Sequence, residues 1–452
     1  MTLNVLENQG IAFDDLPEAW KDPEVLRRLK LFLQKNWEHR QVLYYDSVPN
    51  SKQQFLYFGS EPPVSTNNYI GTITFAGERL NIFPKVFARY EKDPNRNFDF
   101  DQLAKDLSTW LQYCTKTNFP FIVSKTDVAS SNNLIELFIT IYLYFVEAAL
   151  KDKPYWTYED IVEEGPNPKG KINFQDYSTR KYPSANRGEF EYSYSKFQFD
   201  NALNQIIKAT CKILLKASEN AQNQRKIKKI LADLSDATDI RAVPSDCDRV
   251  RLNRVFKNYG IIKSMSKMFL ENSQFSNEAG GKESFCFLFP AEKLFEGFIG
   301  GYLKEEFGRD ATIVTQSTSH YAANLYKNGV LSGPVLALQE DILYSKNGKT
   351  IVLDTKYKEI QKLAQINSSN LDISSGDVYQ MVQYALTNKT DQVVLIYPLY
   401  RREQPDATTK VVLSEAAEGH SINITVIKVP FIFDDDKQKI EDLKKILETV
   451  LN

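Results

Sequence analysis

The sequence predicts an α/β (α+β) protein, and three observations carry that prediction. Two apolar runs flank Asn347-Gly348, and Asn-Gly between alternating apolar residues is the strongest short-range signal for a two-residue β-hairpin. An apolar-periodic stretch follows from Asp377, and then the apolar run Gln392-Val-Val-Leu-Ile-Tyr-Pro, so the C-terminal third reads strand–strand–helix–strand. Leu203, Ile206, Ile207, Cys211, Leu214 and Leu215 recur at helical spacing, and the pattern continues to Leu234, which marks a helical middle region.

In chain order, residues 1–125 read as a mixed β/α part. Gln54-Phe-Leu-Tyr-Phe and Tyr69-Ile-Gly-Thr-Ile-Thr-Phe alternate as strands. Ala76-Gly-Glu-Arg is a turn, and Leu80-Asn-Ile-Phe is a strand stopped by Pro84. Residues 101–151 read as helices. The stretch 152–200 is rich in Tyr, Pro and Gly; it reads as irregular, yet it is too aromatic to be disordered. A further helix is expected over Asn253 to Asn272. The polar, Gly-bearing stretch Gln274 to Ser284 is the expected domain boundary. After it, Pro290 to Leu303 reads as a helix with Leu294, Phe295, Phe298 and Tyr302 turned inward. Three parts are therefore expected: 1–125 mixed, 126–276 mainly helical, and 277–452 holding the strand–strand–helix–strand core.

At 452 residues the chain has room for two or three domains. Net charge is −2, from 56 basic and 58 acidic residues. A free-standing nucleic-acid binder usually carries a basic excess, so any grip on DNA is local or shared with a partner. The clusters Arg225-Lys-Ile-Lys-Lys and Arg249-Val-Arg-Leu-Asn-Arg-Val-Phe-Lys read as solvated helix faces sooner than as DNA contacts. Cys114, Cys211, Cys247 and Cys286 form no C-x-x-C pair, which points to a reducing compartment and away from structural zinc. His39, His320 and His420 are too scattered for a histidine metal site. The N-terminus lacks a basic-then-apolar leader, and the apolar run Leu134 to Leu150 is short and broken by Glu136 and Glu147. A cytoplasmic protein with no membrane partner is expected.

The chemistry concentrates in the hairpin. If Asn347-Gly348 is the turn, Lys346 pairs with Lys349, and the ladder runs down to Asp341 opposite Asp354. Directly opposed residues share a face, and Lys356, two residues past Asp354, points the same way. Facing carboxylates repel unless a cation lies between them. A hard divalent cation such as Mg2+ binds through one or two carboxylates. It would lower the pKa of water and neutralise phosphate charge, and the Lys356 ammonium would stabilise a transition state beside it. An exposed hairpin with an ordinary Asp–Lys pair would show the same letters, and a bare D-x-K recurs at Asp435–Lys437 and Asp442–Lys444. Asp377 reads as an N-cap, and Gln380 and Tyr384, four apart, share one face of the helix it starts. Taken alone, that pair reads sooner as a core Tyr384 and an exposed Gln380. Glu296, near the apolar stripe of its helix, is a candidate third acid or a partly buried structural Glu. Thr355, between the second acid and the lysine, joins Asp341, Asp354 and Glu296 as a candidate metal-binding residue. The run Gly165-Pro-Asn-Pro-Lys-Gly-Lys-Ile spells most of a phosphate loop, but Ile172 offers no hydroxyl and two prolines remove backbone donors, so no nucleotide site is expected there.

This D…D-x-K hairpin followed by Q-x-x-x-Y resembles the arrangement of RecB-like nucleases, and its β-β-α-β order is similar to the PD-(D/E)xK core. The Pro that such sequences place before the first acid is Glu340 here. Asn68-Tyr-Ile-Gly-Thr-Ile-Thr-Phe-Ala-Gly-Glu-Arg-Leu-Asn-Ile-Phe-Pro-Lys-Val, Tyr158 through Lys169-Gly-Lys-Ile-Asn-Phe, Phe197-Gln-Phe-Asp-Asn-Ala-Leu-Asn-Gln-Ile-Ile-Lys, Asp354-Thr-Lys-Tyr-Lys and Asp377-Val-Tyr-Gln-Met-Val-Gln-Tyr-Ala together resemble the McrC family. Its members are nuclease subunits of McrBC restriction systems, and the longer LlaJI-type branch remains open. The resemblance implies an Mg2+-dependent endonuclease acting on double-stranded DNA, with Mn2+ as a possible substitute. It implies catalytic roles for Asp341, Asp354, Lys356, Gln380 and Tyr384. It also implies docking on a hexameric McrB-like AAA+ GTPase whose hydrolysis the subunit stimulates. Because the acid-bearing hairpin and its helix are complete within 277–452, the expected nuclease domain, residues 1–125 with the helical middle are the expected docking part. A stand-alone repair or end-processing nuclease and a non-catalytic adaptor remain as alternatives.

Overall fold

The computed structural model describes residues 2–39, 52–88, 100–114, 134–184, 187–252, 254–256, 259–278, 284–327, 330–360, 373–400, 409–417, 420–433 and 437–451. Its contacts divide the chain into two units, one made of residues 1–134 with 279–452 and the other of residues 135–278.

The first unit opens with β1 (Thr2–Leu6), the short β2 (Gly10–Ile11), and helix α1 (Pro23–His39). Strands β3 (Leu56–Phe58) and β4 (Val64–Thr66) join β2 in a small sheet of order β2-β4-β3. Next come β5 (Tyr69–Phe75) and β6 (Glu78–Phe83), the hairpin the sequence predicts around Ala76-Gly77. Both turn residues have positive φ, 55° and 80°, as a type I′ connection requires. β1 lies parallel to β6. Helix α2 (Phe100–Tyr113) ends this segment, anchored by Trp110, whose indole N–H donates to the Phe431 carbonyl at 2.6 Å.

The second unit begins with α3 (Leu134–Asp152). Residues 152–200, expected to be irregular, instead hold β7 (Thr157–Gly165), β8 (Lys171–Ile172) and β9 (Phe190–Gln198) in an antiparallel sheet of order β7-β9-β8. The aromatic residues that argued against disorder are strand residues there: Tyr158 opposes Phe197 and Glu163 opposes Tyr192. The would-be phosphate loop runs strand to strand, not strand to helix. Helices α4 (Ala202–Ala217), α5 (Ala221–Asp233) and α6 (Tyr259–Glu278) complete this unit. Their boundaries follow side-chain caps, Asn201 accepting from the Asn204 N–H and Asn220 from those of Gln222 and Asn223.

The chain then returns to the first unit. β10 (Phe285–Pro290) pairs antiparallel with β5, completing a sheet of order β1-β6-β5-β10. Helix α7 (Ala291–Phe307) buries Leu294, Phe295, Phe298 and Tyr302, the four residues expected inward. β11 (Thr312–Lys327), β12 (Val330–Lys346), β13 (Lys349–Thr355), helix α8 (Ser375–Thr387), β14 (Gln392–Leu399), β15 (Thr409–Ala417), β16 (His420–Pro430) and α9 (Lys437–Leu451) follow. The strands form a six-stranded sheet of order β11-β12-β13-β14-β16-β15. β13 and β14 are parallel and joined by α8, so strand–strand–helix–strand is the observed order.

Because β10 is zipped to β5, residues 1–134 and 279–452 share one unit, unlike the expected separation of 1–125 from 277–452. Hydrogen bonding between strands remote in sequence sets this arrangement, and local pattern cannot show it. The boundary expected within 274–284 coincides with the end of the second unit at 278. All four cysteines are buried. No helix among the described residues is long and apolar enough to cross a membrane.

Candidate functional site

The β12–β13 hairpin turns at Asn347 (φ 52°) and Gly348 (φ 78°). This left-handed pair matches the right-handed twist of the strands. The ladder pairs Lys346 with Lys349, Ser345 with Thr350, Tyr344 with Ile351, Leu343 with Val352 and Ile342 with Leu353. It ends one step before Asp341 and Asp354. There the Asp341 carboxylate takes the place of a backbone carbonyl: its Oδ2 accepts from the Thr355 N–H and from the Thr355 hydroxyl, both at 2.8 Å. The other edge of β13 is held by β14, with Asp354 opposite Leu395 and Thr355 opposite Ile396.

Ile342, Tyr344, Ile351 and Leu353 are buried, as expected of a core face. The acid-bearing face is covered too. Val352 joins Met381, Tyr384, Val393 and Leu395 in one cluster, with Leu343 packed against it. Parallel strands with a crossover helix are buried on both sides, and that places Asp354, 1% exposed, at the rim of a hydrophobic cluster.

Lys356 Nζ lies 2.7 Å from Asp354 Oδ2 and donates to Gln380 Oε1 at 2.9 Å. A lysine only donates, so Gln380 presents its oxygen to Lys356 and its Nε2 to the Tyr384 hydroxyl at 2.7 Å. Tyr384 donates in turn to the Gln339 carbonyl, 2.7 Å away on β12. Asp354, Lys356, Gln380 and Tyr384 thus form one connected chain. Burial pushes the Asp354 carboxyl up to about 7, and the neighbouring Asp341 adds to it, against the pull of Lys356. Burial opposes the Lys356 charge most, but Asp354, Asp377 and Asp341 together outweigh it and hold the ammonium above its ordinary range. Burial also raises the Tyr384 phenol to about 12.

Asp377 is not the N-cap. Ser374 caps α8, accepting from the Asp377 N–H at 3.1 Å, and the Ser-x-x-Asp spacing shows this in the sequence. The Asp377 carboxylate instead takes the Lys358 ammonium at 3.1 and 3.2 Å. Sequence reading missed this clamp, although Lys358 continues the period-two series 354, 356, 358. Glu340, in place of the family proline, is fully buried and accepts from Asn388 Nδ2 at 2.9 Å, at the end of α8. Glu296, 8% exposed, accepts from Gln316 Nε2 at 2.9 Å and lies 3.6 Å from Lys293. Among the described residues, the three carboxylates within 4.8 Å of one another are Glu164, Asp176 and Glu191, not Asp341, Asp354 and Glu296. The Thr355 side chain is engaged by Asp341.

An open cleft of about 470 Å³ meets this site, lined by Asp341, Gln380, Gln383, Tyr384, Leu338, Gln339 and Lys293. Two carboxylates, one of them raised by burial, and an amide oxygen form an all-oxygen donor set. That set fits a hard divalent cation.

The α/β fold is similar to that of a chain of a Thermococcus gammatolerans assembly described as McrB AAA+ hexamers with bound McrC. The TM-score is 0.67 at 16% identity, over 100% of both chains. A chain of the McrBC complex of the same organism aligns at 18% identity over 67% of this chain and 87% of its own, with a TM-score of 0.46. No curated protein matches the chain. The family model for the McrBC 5-methylcytosine restriction system component matches residues 64–398, and the chain belongs to that family.

Proposed function

We propose that this chain is the nuclease subunit of a McrBC-type restriction system. It acts in the cytoplasm as an Mg2+-dependent endonuclease on double-stranded DNA, in company with a McrB-like AAA+ GTPase hexamer whose hydrolysis it stimulates. The observation that carries the reading is the buried Asp354 beside Asp341, bonded to a lysine that Gln380 and Tyr384 hold in place. The C-terminal sheet and α8 would then be a PD-(D/E)xK core. Asp341 and Asp354 would hold Mg2+, or Mn2+ in its place. When bound, the cation supplies charge neutralisation at the phosphate and makes water more acidic.

The other roles fall to the chain itself. Lys356 presents a fixed ammonium to the negative charge that grows on the phosphate. Gln380, oriented by Tyr384, removes the freedom that Lys356 would otherwise lose on each turnover. The cleft beside Asp341 admits the DNA backbone, with Lys293 on its wall. The near-neutral charge of the chain accords with a partner that supplies much of the DNA affinity. The partner reading is supported by family membership and by the McrB-bound assembly that shares the fold.

The test is cleavage of plasmid DNA with Mg2+, with and without the co-expressed AAA+ partner, for the wild type and Asp354→Ala. Cleavage that needs both Mg2+ and the partner, and disappears in Asp354→Ala, is the expected result. Cleavage without the partner would favour a stand-alone nuclease. Stimulated GTP hydrolysis with no cleavage at all would favour an adaptor.

A further inference from the structure

Tyr357 follows Lys356 directly and sits at the centre of a tight turn just past β13, in which the Lys358 N–H donates to the Lys356 carbonyl at 2.8 Å. Its hydroxyl donates to Glu7 Oε1 at 2.7 Å. The same oxygen accepts from the Lys85 N–H at 2.8 Å, and the Glu7 N–H continues the β1–β6 pairing by donating to Phe83 at 2.8 Å. The Lys85 ammonium stands 4.5 Å above the Tyr357 ring. Phe295 and Phe431 close the ring in, at 5.9 and 6.1 Å. Glu7 is only 2% exposed. Burial raises its carboxyl above the ordinary range, partly offset by Lys85 and the Tyr357 hydroxyl. A buried carboxylate is costly unless it is paired and hydrogen-bonded, and this one is spent at the residue next to the site's lysine. The Lys356 backbone is fixed at the same point, its N–H donating to Ile396 at 2.8 Å.

We infer that Glu7, acting through Tyr357, is a positioning residue for Lys356, so that the first strand of the chain completes the nuclease site from behind. The inference rests on the nuclease reading above. Anchoring Tyr357 fixes the turn that Lys356 opens, and with it the direction in which the Lys356 side chain leaves the backbone. Slackening that anchor releases the ammonium from Asp354 without removing any group that touches DNA.

The test compares Tyr357→Phe, which deletes one hydroxyl, and Glu7→Gln, which keeps the shape and weakens the acceptor, with a control, Trp20→Phe. Trp20 donates to the Phe75 carbonyl at 3.1 Å in the same unit and away from the site, so its loss lowers stability alone. Tyr357→Phe should reduce kcat on the order of ten-fold to a hundred-fold with an unchanged KM for DNA, and Glu7→Gln should lose less in the same direction. The second readout is Mn2+ affinity by electron paramagnetic resonance, which needs no turnover. Lys356 competes with a cation for Asp354, so Lys356→Ala should bind Mn2+ more tightly and Tyr357→Phe should shift part of the way. A folded Tyr357→Phe or Glu7→Gln protein with wild-type kcat and wild-type Mn2+ affinity, whatever its Tm, overturns the inference. If the wild type itself does not cleave DNA, the nuclease reading fails, and the Mn2+ titration alone decides whether Glu7 and Tyr357 set Lys356.

Discussion

Asp354 holds a carboxyl with a folded pKa of about 7, against about 4 in an unfolded chain. Between those values the folded protein binds the extra proton, so the cation-free protein loses stability from this group as pH rises from about 4 to about 7. On the metal-site reading proposed above, a divalent cation would replace that proton. The rise in Tm on adding Mg2+ should therefore be larger at pH 8 than at pH 5.5, and Asp354→Asn should flatten the difference. Equal Mg2+ shifts at both pH values would show that the cation does not use this carboxylate. Lys356 carries the second expectation at this scale. Lys356→Ala should slow cleavage on the order of 10²–10³-fold, the scale of one preorganised electrostatic donor, while Mg2+ binding survives. Lost metal affinity with unchanged turnover, read by calorimetry and single-turnover kinetics, would contradict the role. These residues were legible in the sequence because a two-residue turn fixes register, and register decides which side chains share a face. The Lys356–Gln380 bond was not. Two residues 24 positions apart meet only through the crossover geometry of α8.

Hairpins and amphipathic helices form from local pattern, and those elements match the reading closely: β5–β6, β12–β13, α4, α5 and α7. The β7-β9-β8 sheet escaped it because its strands mix acids and aromatics, with Asp160 and Glu164 on the same strand face as Tyr158 and Val162, so no clean apolar alternation marks them. Asp377 and Ser374 are both good caps, and the Ser-x-x-Asp spacing, with Lys358 on the Asp377 carboxylate, assigns the cap to Ser374. Helix α7 shows a constraint that composition hides. A Cβ at Gly301 would stand 1.6 Å from the Tyr113 carbonyl oxygen of α2, and one at Gly297 would stand 2.9 Å from Cys114 Sγ. The two helices approach backbone to backbone, which only glycine permits. Gly301→Ala should force α2 and α7 apart and cost about 1–3 kcal/mol or more, read as a fall in the denaturant midpoint. A Gly301→Ala protein as stable as the wild type would mean that the helices are not packed this closely.

At the scale of the whole molecule, the sequence separates a C-terminal site from an N-terminal part, and the chain's own hydrogen bonds rejoin them. Every group of the site, from Asp341 to Tyr384, lies beyond residue 277, so a fragment starting near Asn277 looks self-sufficient on the page of the sequence. It lacks four supports that the fold provides from residues 1–134. β10 would lose β5, its partner strand, exposing the backbone donors and acceptors of Phe285–Pro290 along a raw edge. Phe431 would lose the stacked Trp110 ring, 4.1 Å away, and Phe433 the Asp106 carboxylate that accepts from its N–H at 3.0 Å. Tyr357 would be left buried without Glu7. Removing strand pairing, an aromatic stack and buried polar partners together is a large loss against the roughly 5–15 kcal/mol by which a domain is typically stable. The fragment from residue 277 should therefore aggregate or lack cooperative unfolding, and a metal-site assay on it would report misfolding rather than chemistry. Co-expression of residues 1–134 as a separate chain should restore a soluble complex with a single unfolding transition and metal-dependent stabilisation. A soluble, cooperatively folding fragment from residue 277 alone would show that the C-terminal core is a domain in its own right.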